Sequence, residues 1–307
     1  MAPKSKKVSL IRGRRMRATL VDANGRPVIG DDTAVVTKGF ITVSMTTNME
    51  EGEAISQTNA SGETCIAEPA TPQFMGIGVE ATFCEVDFAL FHLLTGQELV
   101  YDEAGTVVGI TESSNVDLSA VNFALELWLG AVNDDSAPVE GSQGKYGYVL
   151  LPFLGGGIIG DYTIENAAIT FTISNMNTKN GSGWGRGPYA VDIVNGKPAL
   201  LHQPLKAADH RRTMVVEVAP PAVYSGAIPV LDPAGTALTD ITATVTGKVA
   251  ALAPTPAGTG PVWYDFGDGE WDYSETGSHS HTYANAGTYT VTARRGLSTV
   301  TKAVTVS

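Results

Sequence analysis

The chain has 307 residues, of which 43% are apolar and 17% charged, and its net charge is −12. This is enough apolar material for one large domain or two ordinary ones, and frequent glycine, valine and threonine favour strands over helices. No run of about 18 apolar residues is present, and no apolar stretch follows the basic N-terminus, so we expect neither membrane insertion nor a secretory signal. The two cysteines, Cys65 and Cys84, are too few for a disulfide framework, and we expect reduced thiols.

The charge is unevenly distributed along the chain. Residues 1–26 carry a net charge of +7, residues 27–218 carry −16 and residues 219–307 carry −3. Residues 1–15 contain six lysines and arginines and little to bury, which predicts a flexible basic arm. A basic arm on an acidic body is typical either of partner binding or of a solvated tail.

Residues 16–218 are predicted to form one domain built mainly of strands. Alternating or continuous apolar patterns predict strands at 17–22, 35–45, 121–129, 146–153, 167–174 and 214–218. Asn24-Gly25 predicts a tight hairpin turn after the first strand. Residues 46–63 are polar and acidic, which predicts a long loop or an irregular hairpin. In 121–129 the odd positions are Val, Phe, Leu, Leu and Leu, so we predict one buried face for this strand.

A single helix is predicted within this domain. Gly96 follows its apolar run at a C-cap position, and Asp87 lies in its first turn, where a carboxylate complements the helix dipole. The apolar side chains at helical spacing are Val86, Leu90, Phe91, Leu93 and Leu94. Residues 16–218 are therefore predicted to be an all-β sandwich or barrel with one flanking α-helix.

The last third of the chain is predicted to be a second, smaller domain. Residues 219–239 are rich in proline and glycine, which predicts a linker with a possible first strand of the next domain. Short strands follow within residues 240–307, which fits a small β-sandwich. They are predicted at 241–245, 248–252, 262–266, 287–294 and 300–306.

Three short motifs in this segment suggest a known family. They are Trp263-Tyr-Asp-Phe-Gly-Asp-Gly269, His281-Thr-Tyr283 and Ala286-Gly-Thr-Tyr-Thr-Val291. In order and spacing they resemble the PKD family of immunoglobulin-like domains. Gly267 and Gly269 suit a tight turn after a strand, and Trp263 and Tyr289 are expected as core aromatics between two sheets.

A second resemblance covers roughly residues 15–218. It is carried by Cys84-Glu-Val-Asp-Phe-Ala-Leu-Phe-His-Leu-Leu-Thr-Gly-Gln97 and by Asn177-Thr-Lys-Asn-Gly-Ser-Gly-Trp-Gly-Arg-Gly-Pro-Tyr189. These stretches resemble the major tail proteins of long-tailed, siphovirus-type bacteriophages, especially those of actinobacterial hosts. Such tail proteins often carry an immunoglobulin-like domain at the C-terminus, so the two resemblances agree.

The second resemblance implies a structural virion protein, not an enzyme. Six subunits would close into a ring whose inner sheets form a continuous barrel, and stacked rings would form the tail tube. Genomic DNA would pass through the lumen without specific binding, and the tape measure and tail terminator proteins would be further partners. The protein would be located in the phage tail after assembly in the host cytoplasm, with its C-terminal domains projecting outward and contacting the host surface weakly.

Several segments have two interpretations under this hypothesis. The acidic body would line a lumen that repels DNA phosphates, although for any single acid a solvated surface is the simpler explanation. The basic arm at 1–15 would dock onto the acidic surface of a neighbouring subunit, or it would be a disordered tail. Residues 46–63 would make contacts between rings, or they would be a mobile surface loop.

No pattern predicts a catalytic, cofactor or metal site. Four acids lie close together but lack the spacing of an EF-hand, so turn roles explain them better than calcium. They are Asp265, Asp268, Glu270 and Asp272. His279 and His281 would share a strand face and could form a metal-binding pair. His281 belongs to the His-Thr-Tyr motif, however, so a structural role is the preferred interpretation. His92 is expected to be a satisfied core residue, and Gly155-Gly-Gly157 predicts a bulge or close backbone contact, since it lacks the residues of a phosphate loop.

Two other classes of function are possible. A surface adhesin or polysaccharide-binding protein would use the immunoglobulin-like domain, with Trp271 and Tyr273 as candidate exposed aromatics. The absence of a secretory signal argues against a secreted adhesin. PKD-like domains also accompany secreted hydrolases, but without a catalytic constellation we expect no enzymatic activity.

Overall fold

The computed structural model describes residues 9–132, 145–162 and 169–307, and over these ranges it contains one helix and otherwise strands, turns and loops. The first strands are β1 (Ser9–Leu20), β2 (Gly30–Thr37), β3 (Phe40–Glu50), β4 (Ile55–Thr58), β5 (Thr64–Glu68) and β6 (Gln73–Phe83). Helix α1 (Phe88–Thr95) follows, and then β7 (Glu98–Tyr101), β8 (Val107–Thr111), β9 (Asn122–Val132), β10 (Tyr146–Gly155), β11 (Ile158–Ile159) and β12 (Phe171–Asn177). The later strands are β13 (Asp192–Val194), β14 (Lys197–Ala199), β15 (Arg212–Val216), β16 (Ile228–Val230), β17 (Asp240–Thr246), β18 (Val249–Thr255), β19 (Val262–Asp265), β20 (Trp271–Ser274), β21 (His279–Thr282), β22 (Gly287–Arg295) and β23 (Ser298–Val306).

Two antiparallel sheets form the N-terminal domain. The larger has the strand order β15-β10-β9-β1-β2-β16, and the smaller has the order β11-β12-β6-β3. The main core lies between them and includes Met16, Val35, Phe83 and Leu125. Helix α1 packs on this core through Leu90, Phe91 and Leu94. The all-β fold with one flanking helix, predicted from the sequence, is confirmed.

The larger sheet is covered on its second face as well. Trp128, Tyr148 and Leu150 pack there against side chains from the long irregular segment after β12, including Trp184 and Leu201. The prediction of one buried face for residues 121–129 was therefore wrong. Both faces of β9 are buried, because the segment that follows β12 folds back over the sheet.

The helix ends where the sequence predicts but begins later, at Phe88, so Val86 lies outside it and is 37% exposed. Asp87 is the N-cap, so it precedes the first turn, and its side chain accepts hydrogen bonds from the N–H groups of Ala89 and Leu90. Gly96 is the C-cap with φ +69°, a left-handed conformation that glycine adopts without strain. The Asn24-Gly25 turn is likewise observed between β1 and β2, which pair antiparallel.

The largest differences between predicted and observed boundaries occur at three places. Strand β1 begins at Ser9, inside the predicted basic arm, because residues 9–15 pair with β9; residues 1–8 lie outside the described residues. The single strand predicted at 35–45 is two strands in different sheets, since the chain crosses between layers at Gly39, where a Cβ would meet Glu85 at 2.6 Å. The strand predicted at 167–174 begins at Phe171, and residues 167–168 lie outside the described part of the chain.

The predicted linker contains a strand that belongs to the N-terminal domain. Strand β16, within residues 219–239, pairs with β2 through Ile228↔Ala34 and Val230↔Gly30. The prediction that this strand opens the next domain was wrong, because it forms its backbone hydrogen bonds with β2 at the edge of the larger sheet.

The C-terminal domain is a β-sandwich of two antiparallel sheets. One has the order β17-β18-β21 and the other β20-β19-β22-β23. Its core is separate from the others and includes Tyr264, Phe266, Tyr283 and Val291. Trp263 is buried, but the expectation that it lies between the two sheets was wrong, because it is outside the sandwich core and packs against Tyr224 and Trp271. Tyr289 is half-buried at the margin of the core, where it stacks on Tyr283.

Candidate functional site

A long hairpin projects from the smaller sheet of the N-terminal domain. Strands β3 and β6 pair from Phe40↔Phe83, in the core, to Glu50↔Gln73, and β4 and β5 continue the ribbon beyond them. The irregular hairpin was one of the two structures predicted for residues 46–63. Every residue of β4 and β5 is exposed.

The projecting hairpin carries apolar side chains in pairs on its exposed faces. Met49 and Phe74 are directly opposite each other and are 53% and 47% exposed. In the ribbon at the tip, Ile55 pairs with Glu68 and Gln57 pairs with Ile66, so the two isoleucines share one face. Apolar side chains that cluster on a flat exposed β-ribbon are typical of a surface that another chain covers.

The charge around this hairpin has one sign. Between Lys38 and Lys145 the sequence contains no lysine or arginine. The hairpin itself carries six exposed acids, which are Glu50, Glu51, Glu53, Glu63, Glu68 and Glu80. The surface is therefore an acidic one with apolar patches, and it would attract a basic partner.

A buried ion pair between Arg17 and Glu126 lies on the second face of the larger sheet. In the sequence, the only signal for it is that Glu126 is an acid at an even position of β9. The Arg17 guanidinium donates to both carboxylate oxygens of Glu126 at 2.5 and 2.7 Å, and the Tyr148 hydroxyl donates to the same carboxylate at 2.5 Å. Arg17 also lies 3.2 Å from the ring centroid of Tyr189. Burial alone would lower the pKa of Arg17, but the Glu126 charge and hydrogen bond hold it above its ordinary value. Burial raises the pKa of Tyr189 to about 12. Arg17, Glu126 and Tyr148 therefore satisfy one another by hydrogen bonds within the protein, which indicates a structural role for this network.

The acids and histidines of the C-terminal sandwich form turn and pairing contacts. His281 is bonded to Asp268 at 2.7 Å and stacks on Phe266 with ring centroids 3.9 Å apart. Asp265 accepts from the Gly267 N–H at 2.9 Å, as expected for a turn.

Within the described residues, one group of these acids and histidines is close enough together to hold a metal ion. Asp268, Glu270 and His281 bring one ligand atom each to within 4.8 Å of one another. Asp265 and Asp272 are outside this group, and Asp272 lies beside His279 at 3.4 Å. Because Asp268 and His281 already bond each other, the turn explains the cluster without a metal ion.

The two aromatics proposed for glycan binding are at the seam between the domains. Trp271 packs against the small cluster of Ala34, Val36, Ile228 and Val230 in the N-terminal domain. Tyr273 is half-buried, and burial, Glu275 and Asp31 of the other domain together raise its pKa. The expectation that they are freely exposed was wrong, because the N-terminal domain covers this side of β20.

Three other features singled out in the sequence have clear places in the fold. His92 is exposed and its Nδ1 lies 2.6 Å from the Gln97 carbonyl oxygen, so the expectation of a core histidine was wrong. The Gly155-Gly-Gly157 run is a close backbone contact as predicted, since a Cβ at Gly157 would meet Ile173 at 2.5 Å. Cys65 and Cys84 are both exposed and unpaired.

Comparison with known proteins identifies the C-terminal sandwich. Residues 239–306 match the family model of the PKD domain. The chain is thus a largely β protein with a C-terminal PKD domain. No curated protein matches the chain. Among the described residues, no helix has the length and apolar content required to cross a bilayer.

Proposed function

We propose that this protein is a self-assembling tube subunit of the kind that builds the tail of long-tailed bacteriophages. The observation that carries the proposal is the projecting hairpin with its exposed apolar pairs. The resemblance of residues 15–218 to major tail proteins supports the same conclusion. In this proposal the protein is structural and has no enzymatic activity.

The architecture of the smaller sheet supports assembly of identical copies. Strand β3 is at the edge of that sheet, so its outer N–H and C=O groups have no strand partner among the described residues. An edge of this kind pairs readily with another chain. With Met49 and Phe74 on the neighbouring surface, a second copy would gain both backbone hydrogen bonds and apolar burial.

Charge complementarity indicates how the copies would meet. The hairpin is acidic, whereas the start of β1 carries Arg12, Arg14 and Arg15, of which Arg12 is exposed. An interface between two different surfaces of the same chain is heterologous, and such interfaces close into rings or continue as helical filaments. This geometry favours a ring or tube over a two-fold dimer.

The remaining details of the proposal come from the family resemblance. The ring would have six subunits, rings would stack through the hairpins, and genomic DNA would pass through the lumen without specific binding. The tape measure and tail terminator proteins would fill and cap the tube. The PKD domains would decorate its exterior in the virion.

The experiment is negative-stain electron microscopy of the purified chain, with light scattering after size exclusion. We expect hollow rings or tubes that carry outward knobs. The double variant Met49→Ser, Phe74→Ser should abolish them and leave a folded monomer. Val108→Ser is the matched control, since Val108 is equally exposed at 50% but lies on the separate hairpin of β7 and β8.

Two results would contradict the proposal. Loss of assembly in the Val108 control as well would show that the hairpin has no special role. Monomers at every protein concentration, with and without other tail components, would favour the second candidate.

That second candidate is a surface-binding protein, and the PKD match supports it more directly than it supports a tube. A PKD domain of this kind would hold a cell-surface polysaccharide. Because Trp271 and Tyr273 face the N-terminal domain, the binding surface would lie elsewhere on the sandwich. Retention of the full chain on insoluble host cell-wall polysaccharide would support this function, and quantitative recovery in the unbound fraction would contradict it.

A further inference from the structure

A cleft of about 570 Å³ lies between the two domains. Its walls come from β1 and β9, the region of β13 and β14, the segment around β16 and the sandwich strands β19, β22 and β23. This volume is within the range of sites that bind small molecules. Domain junctions are a common place for such sites, and neither the proposed assembly nor the PKD match assigns a role to this one.

The cleft has the opposite charge to the rest of the protein. Its lining includes Arg17, Lys197 and Arg294 but no acidic side chain, although the whole chain has a net charge of −12. Arg17 is neutralised by its two hydrogen bonds to Glu126. Lys197 and Arg294 therefore provide the available positive charge.

Arg294 is held in place without an ion pair to any carboxylate of the described residues. Its guanidinium lies 4.7 Å from the ring centroid of Trp263. Asp265 is near enough to influence it, but that carboxylate already accepts hydrogen bonds from the Tyr224 hydroxyl at 3.0 Å and the Gly267 N–H. Burial lowers the pKa of Arg294, which a bound anion would counteract.

Aromatic and apolar side chains form the rest of the walls. Trp128 and Trp263 come from different domains, both are 2% exposed, and both line the cleft. Within the described residues, neither indole N–H has an acceptor. Buried donors without a partner are rare in folded proteins, and a missing partner is one common explanation. Leu297 and Pro198 add exposed apolar side chains to the lining.

We propose that this cleft binds a small organic anion, with its carboxylate at Arg294 and Lys197 and its ring against the apolar side chains of Leu297 and Pro198. An acidic sugar and an aromatic carboxylate both have this chemistry. Guanidinium groups bind carboxylates through paired N–H donors, and burial of a ring against apolar side chains is favourable. The site does not depend on the proposed assembly.

Isothermal titration calorimetry of the full chain tests the proposal with two matched pairs of probes. Glucuronate is compared with glucose, and benzoate is compared with benzamide. We expect saturable binding of at least one anion and none of its neutral counterpart. Binding of glucuronate alone would identify an acidic sugar as the ligand class, and binding of benzoate alone an aromatic carboxylate.

Substitutions locate the binding in the cleft. Arg294→Gln should weaken the anion roughly tenfold to hundredfold, as expected for loss of a charge-assisted hydrogen bond. Arg211→Gln is the matched control, because Arg211 is exposed and outside the cleft. Leu297→Trp is a second variant, since Leu297 is 37% exposed at the lining and a larger side chain there should fill the cleft without disturbing a core.

The proposal would be overturned by any of three results. These are the absence of saturable binding by both anions, equal binding of an anion and its neutral counterpart, or undiminished binding in both Arg294→Gln and Leu297→Trp. Melting temperatures of the variants, measured in parallel, distinguish loss of the site from loss of the fold.

Discussion

The projecting hairpin and the C-terminal sandwich are both antiparallel β structure, yet they treat their apolar side chains in opposite ways. The sandwich buries Tyr264, Phe266 and Tyr283 almost completely, and its most exposed large apolar side chains reach only 37–38% exposure. The hairpin leaves Met49 and Ile55 more than half exposed. A sandwich closes two sheets on each other, whereas this hairpin extends beyond the sheet that would cover it. The sandwich is therefore enclosed by its own two sheets, whereas the hairpin is the surface that a second copy would cover under the proposed function.

The largest effect on stability is expected inside the sandwich. Phe266 is 2% exposed and stacks on His281, so Phe266→Ala should destabilise the PKD domain by about 3–5 kcal/mol. Hydrogen exchange followed by mass spectrometry should show faster exchange across residues 239–306. Equal loss of protection in the N-terminal domain would show that the two cores are not independent.

A substitution at Gly267, the residue after Phe266, should have a smaller effect on stability than Phe266→Ala. Gly267 has φ +78°, and a Cβ there would lie 2.6 Å from the Thr290 carbonyl oxygen, so Gly267→Ala should destabilise the domain by about 1–3 kcal/mol. Gly269→Ala is the control, because its φ is also positive at +97° but nothing lies within 4 Å. Denaturant unfolding should rank Gly267→Ala as the more harmful, and the reverse order would exclude the close contact as the cause.

The helix cap joins the N-terminal core to the segment that leads to the sandwich. Asp87 caps α1 and its second oxygen accepts from the Gly226 N–H at 3.2 Å. Asp87→Ala should destabilise the N-terminal domain by about 1 kcal/mol, and Asp87→Asn should retain most of the stability. Thermal unfolding of the three proteins provides the measurement; an equal loss in both variants would mean that capping is not the source.

The Asp268–His281 pair should give the sandwich an acid-dependent component of stability. Burial raises the pKa of Asp268, but the hydrogen bonds from His281 and the Glu270 N–H, together with the His281 charge, lower it below the ordinary value. The stabilisation is therefore complete above the ordinary aspartate pKa, about 3.9, and is lost as the pH falls through the lower folded-state value. Between about pH 6 and pH 3, the melting temperature should fall less steeply with decreasing pH for Asp268→Asn than for the parent chain. The exposed Glu275→Gln variant should behave like the parent chain, and identical slopes in all three would contradict the assignment.

The smallest effect on stability is expected on the hairpin. Phe74→Ser should lower the free energy of unfolding by only about 0.5 kcal/mol, because the ring is already 47% exposed and loses only its edge-to-face contact with His210. Phe83→Ser, at the other end of the same strand and fully buried, should be strongly destabilising. Similar losses in the two variants would mean that the hairpin side chains already have a covering in the isolated chain.

Much of the local structure could be predicted from the sequence. The Asp87 and Gly96 positions defined α1, Asn24-Gly25 defined the first turn, and the three short motifs of the last third defined the PKD sandwich. These features depend on neighbouring residues, because caps, turns and period-two alternation are set by backbone geometry over a few positions. The all-β class with one helix follows from the same local signals.

The tertiary structure alone decided which surfaces are covered. Period-two alternation at β9 could not reveal that Glu126 lies in a second core, because the covering segment is far away in the sequence. The same holds for Trp271, which a distant strand hides, and for β16, which joins the first sheet instead of the second domain. Sequence patterns report how a residue sits on its own element, whereas burial also depends on what the rest of the chain brings against that element. This packing of distant segments distinguishes the hairpin from the sandwich. Similar strands are uncovered in the hairpin and enclosed in the sandwich.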